Sequence, residues 1–439
     1  MGRYIFNKIH TVGWYEKIMQ EETYKMERRL WTKDFTLVVI GQIISLFGNA
    51  AIRFVLPLYL LNRTGSSALY GTVTACAFLP AIILSPVGGI VADRVNKRNI
   101  MVILDFSTAG LIAAFSLSEG GGNLVVMITV TLMLLYGIAG AYQPSVQASI
   151  PVLVSQGNIM AANSVVNIVN SFSSLLGPVL GGILYSACGL EPVLYLCAGC
   201  FFLSAVMELF IRIPFVRQET ADSVWKMVRT DFAESIRFIW KDKPVIGKAL
   251  LAVCGINLFL SAMLTVGLPY LVTEVLPFEP ALANRLCGYA EGALAAGGLA
   301  GGIGAGLLSG KLTMKKAGNL IVGCAAWVFP IGITMILFSS GMINYMVMLI
   351  CCFFIVACST IFTVIIMSFV QAKTPGNLIG KVIAVMLTVS MCAQPLGSAV
   401  YGVLFEVCHG YEFAVVLFGG VVSLFIAVGA KKVFQKYTL

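Results

Sequence analysis

Long uninterrupted runs of apolar residues recur along the chain, and short polar segments separate them. A membrane-spanning helix needs about 20 consecutive, mostly apolar residues. Continuous runs predict helices, whereas a membrane β-barrel would show alternating apolar and polar positions. We predict twelve spanning helices, at Phe35–Leu60, Ser67–Ala92, Ile100–Leu117, Leu124–Ile150, Met160–Ala187, Val193–Ile211, Val245–Leu271, Ala283–Ser309, Asn319–Ser339, Asn344–Val370, Val382–Leu404 and Ala414–Ala430.

One charged connection, from Pro214 to Pro244, is longer than the others and divides the predicted helices into two groups of six. The sequence therefore predicts an all-α polytopic membrane protein with five parts. These are an N-terminal tail (1–34), a six-helix bundle (35–213), a linker (214–244), a second six-helix bundle (245–430) and a C-terminal tail (431–439). Apolar residues recur every four positions from Val224 to Ile236, which predicts an amphipathic linker helix on the membrane surface.

The two groups of six helices share a weak internal repeat. Pro178 and Pro395 each lie within a late helix of their group, and Arg94 and Lys311 each follow a glycine-rich helix. Both pairs are separated by 217 residues. Parallel repeats related by an axis along the membrane normal are typical of secondary transporters. The repeat therefore predicts two pseudo-symmetric bundles.

Composition and charge restrict the function classes. Of the 439 residues, 59% are hydrophobic and 11% are charged, which leaves too little polar surface for a soluble protein. Of the 29 Lys and Arg residues, 26 fall in the tails, the linker and alternate connections. The positive-inside rule then predicts a plasma-membrane protein with both termini in the cytoplasm. Anionic membrane lipids account for the net charge of +9, and no nucleic acid is needed to explain it.

The connection after the second predicted helix carries a signature. Gly89, Asp93, Arg94, Lys97 and Arg98 match the loop signature Gly-x-x-x-Asp-(Arg/Lys)-x-Gly-Arg-(Arg/Lys) of the major facilitator superfamily, which the chain resembles over almost its whole length. Asn96 stands where glycine is usual, and Lys97 stands where arginine is usual. The resemblance implies a major facilitator fold, in which the acid caps a helix of the opposite half and holds the cytoplasmic side shut. A plain positive-inside loop is the alternative.

A second signature lies in the fifth predicted helix. The residues Gly177, Pro178, Gly181 and Gly182 match the Gly-Pro-x-x-Gly-Gly core that this family associates with drug-exporting antiporters. Glycines four apart leave a bare helix face, and Gly297 and Gly301 repeat that spacing in the eighth helix. The resemblance implies that these two helices meet across the halves and gate the transporter. Ordinary tight packing is the alternative. Within the family, the chain looks most like the macrolide-efflux and enterobactin-exporter branch.

Polar residues at helical spacing predict the lining of a central cavity. Residues three or four apart share one helix face, and lipid would leave a polar face unsatisfied. The predicted substrate-binding residues are Gln42, Asn49, Arg53, Tyr136, Gln143, Gln147, Asn163, Asn167, Asn170, Asn257 and Gln394. For any single residue, a hydrogen bond between helices is an equally good explanation.

Charged residues inside the predicted helices are candidates for coupling, because each costs about 2.5–3.5 kcal/mol near the bilayer centre. We predict that Glu291 is a protonatable coupling residue and that Arg53 is its partner or a substrate contact. A static ion pair near the outer surface is the alternative. Asp105 is a further candidate for proton coupling, and its position favours a pair with a loop cation such as Arg94 or Lys97.

The sequence favours a transporter over an enzyme. The chain has two histidines, no Walker-type loop and no nucleophile beside a base, so we predict no metal, no cofactor and no catalysis. We predict a monomeric secondary transporter that works by alternating access and exports small amphipathic compounds in exchange for protons. Each returning proton gains about 2.3 kcal/mol per 100 mV of membrane potential. A facilitator or symporter that imports a neutral nutrient is the alternative, and a membrane-embedded enzyme or sensor is less favoured.

Overall fold

The computed structural model of the protein describes residues 30–118, 123–155, 158–213, 232–308, 312–375 and 378–435. The side chains of residues 85–94, 148, 151, 159–160, 371, 379–380 and 384 lie outside this description. Most of the predicted linker helix also lies outside it, since the described part of the linker begins at residue 232.

Twelve long helices run through the described residues, as predicted. They are α1 (Lys33–Thr64), α2 (Ser67–Arg94), α3 (Lys97–Ser118), α4 (Leu124–Leu153), α5 (Ile159–Cys188), α6 (Leu190–Leu209), α7 (Pro244–Val275), α8 (Pro280–Leu307), α9 (Met314–Leu337), α10 (Gly341–Lys373), α11 (Ile379–Val407) and α12 (Glu412–Phe434). Eleven of them are long and apolar enough to cross a membrane. The remaining helix, α8, is also long enough, at 28 residues, but its glycines lower its mean hydropathy.

Capping residues extend the helices beyond their apolar runs. The Thr32 side chain accepts a hydrogen bond from the Phe35 amide at 3.2 Å. The negative charge of Asp34 in the first turn interacts favourably with the positive end of the α1 dipole. At the other end, Gly65 adopts a φ of 64° and its amide bonds to the Leu61 carbonyl at 2.7 Å, which terminates α1. The helix therefore begins and ends a few residues outside the apolar segment that predicted it.

The helices pack as two groups of six. Within the first group, α1 packs against α5 and α6, α2 against α4, and α3 against α6. Within the second group, α10 packs against α8 and α9, and α12 packs against α9. We call these groups the N-terminal bundle (α1–α6) and the C-terminal bundle (α7–α12). Two helix pairs join the bundles extensively, α5 with α8 and α2 with α11.

Each bundle has two ends, which we name by their connections. The linker end is where α6 stops at Leu209 and α7 starts at Pro244, and the distal end is where α1 stops at Thr64 and α7 stops at Val275. The loops after α1, α3 and α5 therefore lie at the distal end, together with the loops after α7, α9 and α11.

Candidate functional site

The two bundles are joined at the distal end. The Asn62 amide nitrogen donates to the Asn284 side-chain oxygen at 2.7 Å, which connects α1 to α8. The Ser67 hydroxyl donates to the Gly402 carbonyl at 2.8 Å, which connects α2 to α11. Glu406 of α11 also accepts hydrogen bonds from the Ser66 hydroxyl and, at 3.0 Å, from the Ala68 amide. These contacts close the distal end between the bundles.

Glycines without side chains allow this close approach. A Cβ atom on Gly288 of α8 would lie 2.7 Å from the Pro178 carbonyl oxygen and 3.5 Å from the Gly182 Cα atom of α5. In the other pair, a Cβ atom on Gly402 of α11 would lie 2.6 Å from the Ser67 carbonyl oxygen, and its backbone abuts Gly71 of α2. We call these two contact zones the distal seams.

Part of the predicted glycine contact is wrong. The missing side chains of Gly177 and Gly181 make room for Ala50 and Ala51 of α1, inside the N-terminal bundle, and only Gly182 faces α8. Similarly, Gly297 and Gly301 pack against the α10 backbone, inside the C-terminal bundle. Glycine spacing correctly indicates close helix packing, but it does not identify the partner helix. The α2–α11 seam was not predicted, although Gly71 and Gly288 are separated by the same 217 residues as Pro178 and Pro395.

The faces that meet in the α5–α8 seam separate towards the linker end. A Cβ atom on Gly292 would touch Val179, so these two residues mark the facing sides of α8 and α5. The corresponding residues nearer the linker end are Ile303 of α8 and Ile168 of α5. Each is eleven residues along its helix from the contact and lies within about 20° of the same helix face. Ile303 is 63% exposed and Ile168 is 55% exposed. The bundles therefore diverge towards the linker end.

Most of the predicted polar residues of the N-terminal bundle are accessible to some degree. Gln147 of α4 and Asn163 and Asn167 of α5 are exposed, and the half-buried residues are Asn49, Arg53, Tyr136, Gln143 and Asn170. Exposed amides facing hydrocarbon would be unsatisfied, so these faces require water or a polar partner. Asn170 bonds within its own helix, to the Val166 carbonyl at 3.0 Å.

Gln42 does not line an accessible surface, contrary to the prediction. It is fully buried, and its amide nitrogen donates to the Tyr142 hydroxyl at 2.6 Å. Helical spacing placed it on one face with Asn49 and Arg53. That face runs along the length of α1, so Gln42 lies in the bundle interior near the linker end while Arg53, three turns further along, is half-buried.

Arg53 is held by α4 of its own bundle. Its guanidinium donates to the Leu135 carbonyl at 3.2 Å and lies 3.7 Å from the centre of the Tyr136 ring, which packs against Phe78 with ring centres 4.8 Å apart. A guanidinium at that position gains a cation–π attraction. The predicted ion pair between Arg53 and Glu291 is not formed in this conformation.

Glu291 is half-buried in α8 at the boundary between the bundles. Its carboxyl group lies within electrostatic range of Tyr70 of α2 and Cys352 of α10. No described residue forms an ion pair or hydrogen bond with it. An acid at this position can therefore change its charge without breaking an ion pair in the described structure.

The polar residues predicted from the second bundle form hydrogen bonds between helices. Asn257 donates to the Ser390 carbonyl at 3.0 Å, and Gln394 donates to the Thr265 hydroxyl at 3.0 Å, so both tie α7 to α11. Asn257 opens a π-helical turn of α7 (Asn257–Ser261), which the apolar pattern did not predict. Such turns are often found at functional sites.

The predicted gating loop is described only in part. The side chains of Gly89, Asp93 and Arg94 lie outside the described residues. Lys97 starts α3, and the guanidinium of Arg98 donates to the Leu209 carbonyl at 2.5 Å, which ties the start of α3 to the end of α6. Asn96, which replaces the usual glycine, accepts a hydrogen bond from the Arg98 amide at 3.1 Å and so caps α3.

Asp105 forms no ion pair with Lys97, contrary to that part of the prediction. It is 2% exposed and accepts a hydrogen bond from the Ser45 hydroxyl at 3.1 Å. Asp105 is on the third turn of α3, and Ser45 is on the facing side of α1. Asp105 is about two helical turns from Lys97, and the helix carries its carboxyl group into the bundle interior.

A cavity of about 820 Å³ lies outside the closed distal end. Its lining comes from both bundles and includes Tyr59, Asn62, Arg63, Glu191, Glu274 and Asn284. Arg63 and the two acids give this side of the closure a mixed charge.

Comparisons with known proteins agree with this architecture. A sequence profile described as Major Facilitator Superfamily matches residues 38–398. The uncharacterized MFS-type transporter YfiS of Bacillus subtilis (strain 168) is 29% identical over 335 residues, covering 75% of this chain and 76% of that protein. Macrolide efflux protein A of Streptococcus pyogenes is 21% identical over 371 residues, covering 84% and 88%. The crystal structure of the nucleoside transporter NupG has a TM-score of 0.71 at 12% identity, covers 92% of this chain and 100% of that one, and shares the fold.

Proposed function

The chain belongs to the major facilitator superfamily and is a multi-pass membrane transporter, and from this premise we propose that it exports small amphipathic compounds by alternating access. One observation carries the proposal. The bundles are hydrogen-bonded at the distal end, while the facing sides of α5 and α8 are exposed towards the linker end. Two rigid bundles that meet at one end can expose a central pathway to one side at a time.

The direction of transport follows from charge. The positive-inside rule puts the cation-rich linker end, with both termini, in the cytoplasm, where anionic lipids attract its Lys and Arg residues. The opening between α5 and α8 then faces the cytoplasm, which is where an exporter collects its substrate. The name of the relative macrolide efflux protein A supports export of a drug-like compound.

The substrate class follows from the side chains around the opening. Asn163, Asn167 and Gln147 supply amides, and Ile168 and Phe172 supply exposed apolar surface. Binding sites for drug-sized molecules combine apolar walls with a few polar groups in this way. With one arginine in the group, a multiply anionic compound is disfavoured.

We further propose that the transporter works as a monomer and that protons return through it as the compound leaves. Glu291 supports this proposal because its half-buried carboxyl group lies between the bundles and has no described ion-pair partner. In the C-terminal bundle, protonation of Glu291 removes a charge that is costly inside a membrane. Substrate and proton can therefore favour different conformations of the two bundles.

Everted membrane vesicles and a radiolabelled macrolide provide the test. An imposed pH gradient should drive uptake of the macrolide into vesicles that contain the protein. Glu291→Gln should abolish gradient-driven uptake while macrolide exchange without a gradient persists. Glu279→Gln is the matched control, because Glu279 is an exposed acid just before α8, and it should behave like the unmodified protein. Equal uptake with and without a gradient would favour a facilitator and contradict proton coupling.

A further inference from the structure

The N-terminal bundle contains a polar cluster in its interior, near the linker end. It joins four helices: α1 contributes Gln42 and Ser45, α3 contributes Asp105, α4 contributes Tyr142, and α6 contributes Ser204 and Glu208. Each of these residues is at most 4% exposed. Tyr142 also belongs to a buried apolar cluster with Met101 and Val146, and the polar cluster is closed off from water in this conformation.

Hydrogen bonds run through the cluster in a defined order. The Gln42 amide donates to the Tyr142 hydroxyl at 2.6 Å, and that hydroxyl donates to the Glu208 carboxyl group at 2.7 Å. The Ser45 hydroxyl donates to the Asp105 carboxyl group at 3.1 Å. The two acids lie within electrostatic range of each other. Glu208 therefore bonds to Tyr142 and not to Arg212, the base one helical turn further along the chain.

Three oxygens of the cluster have no hydrogen-bond partner among the described residues. They belong to the Gln42 amide, the Asp105 carboxyl group and the Glu208 carboxyl group. All three are acceptors if both acids are ionised, so the cluster lacks donors. A buried acceptor without a donor costs about 1–3 kcal/mol, and more for a charged group.

The cluster also lacks a described cation. On α4, Tyr142 is the ionisable group that bonds within the cluster. The bases of α3, Lys97 and Arg98, lie about two helical turns before Asp105 in the sequence, and Arg98 donates to the Leu209 carbonyl. The α1 residues of the cluster carry no charge. At the linker end Asp34 accepts a hydrogen bond from the Arg212 backbone amide. Two ionised carboxyl groups without a cation would be strongly disfavoured in this environment.

Glu412 provides a comparison within the same chain. It is 5% exposed, so it is as buried as the acids of the cluster, but it lies in the first turn of α12. It accepts a hydrogen bond from the Gly410 amide at 2.8 Å and lies 3.3 Å from the His409 ring nitrogen. Glu412 therefore has a backbone donor, a neighbouring imidazole and a helix N-terminus beside it, whereas the pair Asp105–Glu208 has neither a cation nor a helix N-terminus among the described residues.

We propose that Asp105 and Glu208 together form a proton-binding site inside the N-terminal bundle. A proton on one carboxyl oxygen removes one of the two negative charges and supplies the O–H donor that the partnerless oxygens lack. A metal ion would need several oxygens at short distances, whereas a proton needs one acceptor and no cavity. The site goes beyond the proposed function, because it includes neither Glu291 nor any residue of the pathway between the bundles.

Occupancy of the site by a proton should control packing at the linker end. The four helices that meet at the cluster include α6, whose Leu209 carbonyl is held by Arg98 at the start of α3. Loss of the proton places two negative charges between these helices, and their repulsion loosens the packing. The N-terminal bundle then senses pH independently of the compound being transported.

Infrared spectroscopy of the full-length protein in liposomes tests the proposal. A protonated carboxyl group has a carbonyl stretching band that a carboxylate lacks. Spectra are recorded in a Glu291→Gln background, so that the proposed coupling residue contributes nothing. We expect the band near neutral pH, its loss in Asp105→Asn/Glu208→Gln, and its retention in Glu412→Gln. A spectrum that does not change in the double variant would overturn the proposal.

A second variant keeps the test valid if the double variant does not fold. Tyr142→Phe retains both carboxyl groups and removes the hydroxyl that donates to Glu208, so the band should shift in frequency. An unshifted band would mean that it arises elsewhere and would overturn the proposal. Replacing sodium with choline at constant pH should leave the spectrum unchanged. Sodium-dependent loss of the band in the parent protein, but not in the double variant, would identify a sodium site instead. None of these outcomes bears on export itself, which the vesicle assay measures.

Discussion

Gly288→Ala should shift the balance between the two end states of the transporter. The added Cβ atom would lie 2.7 Å from the Pro178 carbonyl oxygen, whereas nine in ten Cβ contacts are longer than 3.4 Å. Because the obstructing atom belongs to the backbone, α5 and α8 must separate by about 0.7 Å at this point. Overpacking of this kind costs about 1–3 kcal/mol. The cost applies only while the distal seam is closed, so the ratio of distal-closed to distal-open protein should fall about 5- to 150-fold.

Pulsed electron paramagnetic resonance can measure that ratio. Spin labels on Cys188 at the end of α5 and on a cysteine replacing the exposed Leu282 of α8 report the width of the distal end, after the other cysteines are replaced. Gly302→Ala is the matched control, because it lies in the same helix and its Cβ atom meets nothing within 4 Å. It also corrects for the higher helix propensity of alanine, which affects both states equally.

A within-bundle substitution completes the experiment. Gly177→Ala clashes with Ala50 of the same bundle, so it should lower the unfolding temperature without changing the distance distribution. If Gly288→Ala left the distribution of the parent protein unchanged, the distal seam would not be the contact that opens during transport.

Three further predictions concern the caps, the distal hydrogen bonds and the arginine of the pathway. Asn96→Ala should lower the free energy of unfolding by about 1 kcal/mol because it removes the α3 cap, whereas Asn96→Gly should lower it by only about a few tenths of a kcal/mol. Denaturation experiments that give equal losses for the two variants would show that the Asn96 side chain does not cap α3. In a double-mutant cycle on the distal-closed population, Asn62→Ala and Asn284→Ala should show a coupling of about 0.5–1.5 kcal/mol, and strict additivity would argue against their bond. Tyr136→Leu should weaken macrolide transport about 2- to 30-fold by removing the ring under Arg53, while Tyr136→Phe should retain most of it; equal effects would indicate that the ring is not needed.

The helices could be predicted because each apolar run needs a full helix to satisfy its backbone in lipid. Their ends were less certain, since caps such as Thr32 and Asn123 lie outside the apolar runs. The π-helical turns of α7 left no mark in the apolar pattern.

The site was harder to predict because periodicity identifies a shared face but not the neighbour of that face. Gln42 and Asn49 share a face of α1, yet one is buried against Tyr142 and the other is half-buried. The same limit applies to Gly177, which packs against α1 and not against α8. Glu208 and Arg212 are four residues apart, a spacing that favours an ion pair on a helix, but Glu208 instead accepts a hydrogen bond from the buried hydroxyl of Tyr142.

Alternating access requires the two bundles to rock about their contacts, so that one end opens as the other closes. Its most direct test is a paired distance measurement on one protein preparation, with the distal label pair at 188 and 282 and a linker-end pair replacing Ile168 and Ile303. Without ligand, we expect a short distal distance and a long linker-end distance. Addition of the macrolide together with a pH change should lengthen the first and shorten the second. Two distances that remain fixed, or that lengthen together, would contradict alternating access in this protein.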